Sequence, residues 1–193
     1  MILKDKSVLL GSVLAGLFLG VLAFSEPPKS SLLQRAVNRN SNQLSQGTLA
    51  PEFRLPSAQG KILSVEQLKG TTSVVVFVSA TCPHCKTLKE ELLDQGLPDL
   101  GNRLVFVSQG NGDLQKYPPE IQQLESRFAT LIPVLQDSTG KVFEAYKVLG
   151  VPTAYQLDEK GRVNGSGIGV PNSLELIQRL VEEVLSSQKR ARL

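Results

Sequence analysis

Val74-Val75-Val76-Phe77-Val78-Ser79-Ala80-Thr81-Cys82-Pro83-His84-Cys85-Lys86 holds both cysteines and the single histidine of the 193-residue chain, within four consecutive positions. The run Val74 to Val78 is too short for a helix of its own and is rich in β-branched residues, which predicts a strand buried on both faces. Pro83 suits the first turn of a helix, and Lys86-Thr87-Leu88-Lys89-Glu90-Glu91-Leu92-Leu93 has helical apolar spacing. Cys82 is therefore expected at a helix N-terminus, where unpaired amides and the positive end of the helix dipole favour an anion. A thiolate is such an anion, and it is the nucleophile of disulfide exchange. Cys85, one turn deeper, is placed to close a disulfide and release a mixed-disulfide partner. His84 adds a donor and a protonatable ring, which favours the thiolate further and makes the disulfide a stronger oxidant.

Other uses of the same residues fit less well. A purely structural disulfide gains stability with the length of the loop it closes, and this loop is close to minimal. A zinc site needs about four ligands, and the chain has no further Cys or His. For His84 alone the plain alternative is an exposed polar residue without a role. The expected cofactor is thus none beyond the Cys82–Cys85 disulfide itself, with no metal.

Hydrophobic content of 41% with 20% charged residues is that of a globular chain, and 193 residues allow one ordinary domain with an appendage. The net charge of +3 is mild, and no Lys/Arg cluster is interleaved with aromatics. Nucleic acid is therefore not an expected partner. Two cysteines exclude a disulfide-dense scaffold.

Lys4 and Lys6 precede a charge-free run, Ser7 to Phe24, long enough to span a bilayer. Positive residues before it predict a cytoplasmic N-terminus and an exported remainder. An uncleaved anchor is favoured by the length of the run; small residues at Ala23 and Ser25 also suit a cleavable signal peptide. In either case the dithiol is expected on the non-cytoplasmic side of a membrane, in a periplasm or equivalent lumen, where disulfides persist.

Residues 25–50 are rich in Ser, Asn, Gln and Pro and read as a polar linker. Phe53-Arg54-Leu55 and Ile62-Leu63-Ser64-Val65 suggest a hairpin, and Glu66 to Gly70 one helical turn. Arg103 to Ser108 predicts a further strand, and Pro118-Pro119-Glu120 opens a helix with Ile121, Leu124 and Phe128 as its apolar face. A short helix is expected around Val142 to Lys147, then a hairpin of Thr153–Leu157 and Arg162–Gly165. The last helix is expected from Asn172, capped with Glu175, and a basic tail occupies 189–193. Strands alternating with helices, then a hairpin and a helix, imply an α/β sheet covered on both faces.

Pro51-Glu52-Phe53-x-Leu55, Gly60-Lys61, Leu68-Lys69-Gly70, the strand into Cys82-x-x-Cys85 and Gly150-Val151-Pro152-Thr153 resemble the membrane-anchored thioredoxin-like proteins of the TlpA/ResA type. Phe77-Val78-Ser79-x-Thr81-Cys82-Pro83-x-Cys85-Lys86 is especially similar to the MauD branch, associated with maturation of methylamine dehydrogenase. The resemblance implies a thioredoxin-like fold over residues 51–188, a central mixed β-sheet with helices on both faces, preceded by a transmembrane or signal helix at 1–24. It implies Cys82 as attacking nucleophile, Cys85 as resolving thiol, and a thiol-disulfide oxidoreductase acting on exported or membrane-associated proteins, with a redox partner in the membrane. It also implies a cis Val151-Pro152 peptide facing the dithiol, so that Val151, Pro152 and Thr153 form the substrate-binding segment.

The chain departs from that family at three positions. Thr81 replaces a frequent tryptophan, Val76 stands where thioredoxin has a buried acid, and Leu88 where ResA-type proteins have a glutamate. Cys85 is thus left without the family's usual carboxylate, and the helical positions of Glu90 and Glu91 give no reason to assign either that part. Pro83-His84 is the pair of DsbA-type oxidants, whereas TlpA/ResA-type proteins usually reduce, so a relatively oxidising potential is expected. Two alternatives share the fold. A peroxiredoxin-type peroxidase would want Pro where Val75 stands, and an SCO-type copper-delivery protein uses Cys-x-x-x-Cys with a distant His that this chain lacks.

Overall fold

The computed structural model describes residues 43–191 apart from 58, 111 and 112. The fold is built on β3 (Ser73–Val78), whose six residues are all buried. Alternation along the strand sends Val74, Val76 and Val78 to one face and Val75 and Phe77 to the other, and each set enters a separate apolar core. A strand apolar on both faces is stable only at the middle of a covered sheet, and β3 is the central strand of five. Their order is β5 (Val134–Asp137), β4 (Leu104–Gln109), β3, β6 (Thr153–Leu157), β7 (Val163–Ile168). β3 runs parallel to β4 and antiparallel to β6, so the sheet is mixed. This is the expected thioredoxin-like α/β arrangement.

Three helices cover the face of Val74, Val76 and Val78: α1 (Pro83–Gln95), α2 (Pro119–Ala129) and α4 (Val170–Ala191). They supply Cys85, Leu88 and Leu92, then Phe128, then Leu176, Ile177, Leu180 and Val184 to one core. The opposite face is covered by one short helix, α3 (Lys141–Ala145), together with the antiparallel hairpin of β1 (Arg54–Pro56) and β2 (Ile62–Ser64) and the turn Val65–Leu68. Its centre is an aromatic cluster of Phe53, Phe77, Phe143, Tyr146 and Tyr155, with Phe77 against Phe143 edge-on at 5.0 Å.

Three elements differ from the sequence reading. Residues 43–50, given there to the linker, lie on the domain. Leu44 and Ala50 are buried, Gly47 N–H donates to the Val163 carbonyl at 2.8 Å, and Leu49 bridges Arg162. The last helix begins at Val170 rather than Asn172, with Pro171 in its first turn. Asn172 does not cap it; its side-chain amide donates to the Ile168 carbonyl, and the helix runs on to Ala191, through most of the expected basic tail. In α2, Glu125 is buried where Leu124 was expected to be, so the inward face is turned by one residue.

Among the described residues no helix is long and apolar enough to cross a membrane. The expected anchor at 1–24 and most of the linker at 25–50 lie outside the described residues.

Candidate functional site around the Cys82–Cys85 dithiol

β3 ends at Val78, and the chain turns through Ser79-Ala80-Thr81 into α1. Cys82 is the N-cap of that helix and Pro83 its first residue. The cap position is non-helical, with φ −82° and ψ 118°, so its side chain turns back over the first turn. There the Cys82 sulfur accepts the backbone N–H of Cys85 at 3.4 Å. An amide that a helix end leaves unpaired is thus directed at the sulfur.

The two thiols occupy different surroundings. Both are free; Cys82 is partly exposed, whereas Cys85 is fully buried among Leu88, Leu92, Ala154 and Ile177. Burial pushes the Cys85 thiol up from 9.0 to about 12, because an anion there loses its hydration. A backbone hydrogen bond from Ser79 opposes the rise, the neighbouring Cys82 adds to it, and the Lys89 ammonium opposes it. The site therefore pairs an accessible sulfur with one that is held protonated.

Pro83 and His84 are exposed on the rim of this turn. Across from it lies the loop leading into β6. The Val151-Pro152 peptide is cis, as the resemblance implied, and the Cys82 thiol donates to the Val151 carbonyl at 3.5 Å. Among the described residues the Val151 N–H has no backbone partner, while the Pro152 carbonyl is taken by Gly169 N–H at 2.8 Å. Thr153 is buried with its hydroxyl donating to the Gly150 carbonyl at 2.6 Å, so it shapes the loop and does not face solvent. Beside this loop Leu149 is 74% exposed. The structure thus brings Cys82, Cys85, Pro83, His84, Val151 and Pro152 together and turns Thr153 inward.

Sequence reasoning missed two charged residues behind the dithiol. Lys89 on α1 and Glu125 on α2 form an ion pair whose side chains are 1% and 7% exposed, and the Lys89 ammonium also lies 5.6 Å from the centre of the Phe128 ring. A signal was present. Position 89 falls on the stripe Cys85, Leu88, Leu92, and position 125 on the stripe Ile121, Phe128, where an apolar residue is expected. Among the described residues no group of three His, Cys, Asp or Glu could hold a metal.

The AhpC/TSA family model matches residues 46–166, well over half of the chain and including every residue of the site. The chain is 23% identical over 148 residues to the thioredoxin-like protein YneN of Bacillus subtilis, an alignment that covers 77% of this chain and 86% of that one. It is 25% identical over 133 residues to the thiol-disulfide oxidoreductase ResA of Bacillus subtilis, covering 68% of this chain and 72% of the relative. The thioredoxin domain of a thiol-disulfide oxidoreductase from Bacteroides vulgatus superposes with a TM-score of 0.53 at 17% identity, over 72% of this chain and 99% of that domain. The fold, the extent of the family match and these relatives agree: the chain is an oxidoreductase belonging to the AhpC/TSA family, with a thioredoxin-like domain.

Proposed function

We propose that Cys82 and Cys85 exchange disulfides with exported or membrane-associated proteins. The observation that carries this reading is the asymmetry of the pair: one sulfur at a helix N-terminus and open to solvent, its partner one turn below, buried and protonated. In the reductive direction the Cys82 thiolate attacks a substrate disulfide. One sulfur joins Cys82 in a mixed disulfide, and the other leaves as a thiolate that takes a proton from water. Cys85 then loses its proton and attacks the Cys82 sulfur, which closes the Cys82–Cys85 disulfide and frees the second substrate thiol. Oxidation of a dithiol substrate runs the same steps backwards. The Val151 backbone supports docking of an extended substrate segment, because its N–H has no backbone partner among the described residues and its carbonyl touches the attacking sulfur.

Pro83 and His84 follow the nucleophile, and their likeness to the pair in DsbA-type oxidants supports the oxidising direction. The TlpA/ResA-type relationship, with its MauD-like motif, supports a membrane-tethered enzyme on the non-cytoplasmic side that exchanges electrons with a membrane partner.

The test is trapping with Cys85→Ala in cells. Mixed disulfides on Cys82 are expected, and they vanish in Cys82→Ser/Cys85→Ala; an exported Cys85→Ala protein that captures nothing would sink the reading. Equilibration with a glutathione buffer sets the direction: a potential close to that of thioredoxin would refute the oxidising assignment.

A further inference from the structure

We propose that Lys89, held by Glu125, is a positioning residue for the resolving step: its ammonium, fixed one helical turn beneath Cys85, stabilises the Cys85 thiolate as it forms. The proposal rests on the exchange reading above and names the charge that serves it.

Four observations converge. Cys85 and Lys89 are four residues apart on α1, which puts them on one face with neighbouring side chains. Both are fully buried, so solvent screens the charge from the sulfur only weakly. The ammonium is fixed by the Glu125 carboxylate from α2 and lies near the Phe128 ring. Of the two charges it is the positive one that acts on Cys85, against the rise that burial causes.

The pair has no evident structural purpose. Its neighbours are Leu88, Leu92 and Phe128, and an apolar residue would fill the space. Desolvating two charges is costly, and buried ion pairs are commonly replaced by apolar residues without loss of stability. Stability alone therefore does not account for a charged pair in such a place. The other groups bearing on Cys85 do not supply a cation. Cys82 and the Ser79 backbone approach it from the turn, and β3, β6 and α4 contribute apolar residues, Val76, Val78, Ala154 and Ile177 among them, to the core that Cys85 enters. His84 and Lys86, on the same helix, are exposed.

The step at issue is the second half of exchange. Cys85 gives its proton to water and its sulfur attacks the Cys82 sulfur of the mixed disulfide. The Cys82–Cys85 bond forms, and the bond to the substrate breaks, its electron pair leaving on the substrate thiolate. Negative charge grows on Cys85 before it is delivered outward, and Lys89 is the cation beside it.

The probe is the aromatic disulfide dithionitrobenzoate, added in excess to the reduced full-length protein and followed by stopped flow. The first coloured thiolate reports attack by Cys82, and the second reports resolution by Cys85. Lys89→Met removes the charge but leaves Glu125 buried and unpaired. Lys89→Met/Glu125→Leu removes both charges and keeps an apolar fill, and its fold is checked by thermal melting. In the folded double variant the pH profile of the second phase is expected to move up by about one unit, the equivalent of a tenfold drop in thiolate fraction. Because nucleophilicity rises with pKa, the second-phase rate at fixed pH falls by about three- to tenfold. A folded double variant whose second phase keeps its rate and pH profile overturns the proposal. Loss of the first phase in the unmodified protein would instead overturn the exchange reading on which it rests.

Discussion

The sulfur of Cys82 lies 3.5 Å from the carbonyl oxygen of Val151, although 69 residues separate them in the chain. The contact follows from sheet order. Cys82 lies just past the end of β3, Val151 just ahead of the start of β6, and the two strands are antiparallel neighbours with Phe77 opposite Thr153. The proposed nucleophile and the segment that would hold its substrate are thus set by the same pair of strands.

That arrangement leaves Cys82 open and Cys85 closed, and alkylation should separate them. In the reduced protein iodoacetamide is expected to label Cys82 first, with Cys85 slower by on the order of 100-fold, since it reacts only after local opening. Peptide mapping by mass spectrometry reads the order of labelling. Equal labelling of both cysteines in the folded protein would contradict the buried placement of Cys85.

Three buried groups give the fold an alkaline limit. Cys85 is raised to about 12 by burial; Tyr146 is raised by burial and then by the charges of Glu52 and Tyr155; Tyr155 is raised by burial, against a backbone hydrogen bond from Leu44. Each stays protonated in the folded chain at a pH where the unfolded chain has released its proton. The unfolded state then binds fewer protons, so stability falls as pH rises. The contribution of Cys85 is complete below pH 9.0 and is lost as pH climbs towards about 12. Thermal melting from pH 8 to 11 should show a Tm falling by at least about 5 °C, with a shallower fall in Cys85→Ala/Tyr146→Phe. A flat profile would show that these groups titrate alike in both states.

The two tyrosines of the aromatic cluster should respond differently to loss of the hydroxyl. Tyr155 Oη donates to the Tyr146 carbonyl at 2.7 Å and accepts from Leu44 N–H, whereas the buried Tyr146 Oη has no hydrogen-bond partner among the described residues. Tyr155→Phe is expected to cost about 1–2 kcal/mol, because it strands a buried carbonyl. Tyr146→Phe removes an unsatisfied polar atom and is expected to be neutral or stabilising, within about 1 kcal/mol. Urea denaturation at pH 7 distinguishes the pair; equal losses would mean that Tyr146 Oη is bonded after all.

Asp137 supports the short helix on the hairpin side of the sheet. It is fully buried at the end of β5, and its carboxylate accepts the backbone N–H groups of Val142 at 2.9 Å and Phe143 at 3.0 Å. These are amides of the first turn of α3, which has no cap of its own. Asp137→Ala should cost about 2 kcal/mol, the upper end of a lost cap, since the freed amides stay buried. Denaturation measures it, and a loss below about 0.5 kcal/mol would show that α3 does not depend on that carboxylate.

The legible parts of the chain were those where pattern and chemistry coincide. Five apolar residues from Val74 to Val78 announced a central strand, and Pro83 between the cysteines announced the helix that carries them. Lys89 and Glu125 fall on the apolar stripes of their helices, but a charge in an amphipathic helix is read as solvent-facing unless its partner on another helix is known. Residues 43–50 were hidden by polar composition, since only Leu44 and Ala50 bury apolar side chains there and the other ties are hydrogen bonds to distant parts of the chain, such as Gly47 N–H to the Val163 carbonyl and the Ser166 hydroxyl to Gln43. The start of α4 was misplaced because Asn172 has the chemistry of a cap. The close approach of the β7 backbone decided the matter: a Cβ at Gly167 would lie 2.7 Å from that of Asn172, a proximity no local pattern encodes.

The central place of β3 also bears on how the molecule tolerates change. β4 and β5 lie on one side of the β3–β6 seam, and β5 forms the outer border of the five-stranded sheet there. Longer connections at that border would leave the seam, and with it the spacing of sulfur and carbonyl, intact. The sulfur and the carbonyl that faces it can therefore keep their spacing while that border changes shape.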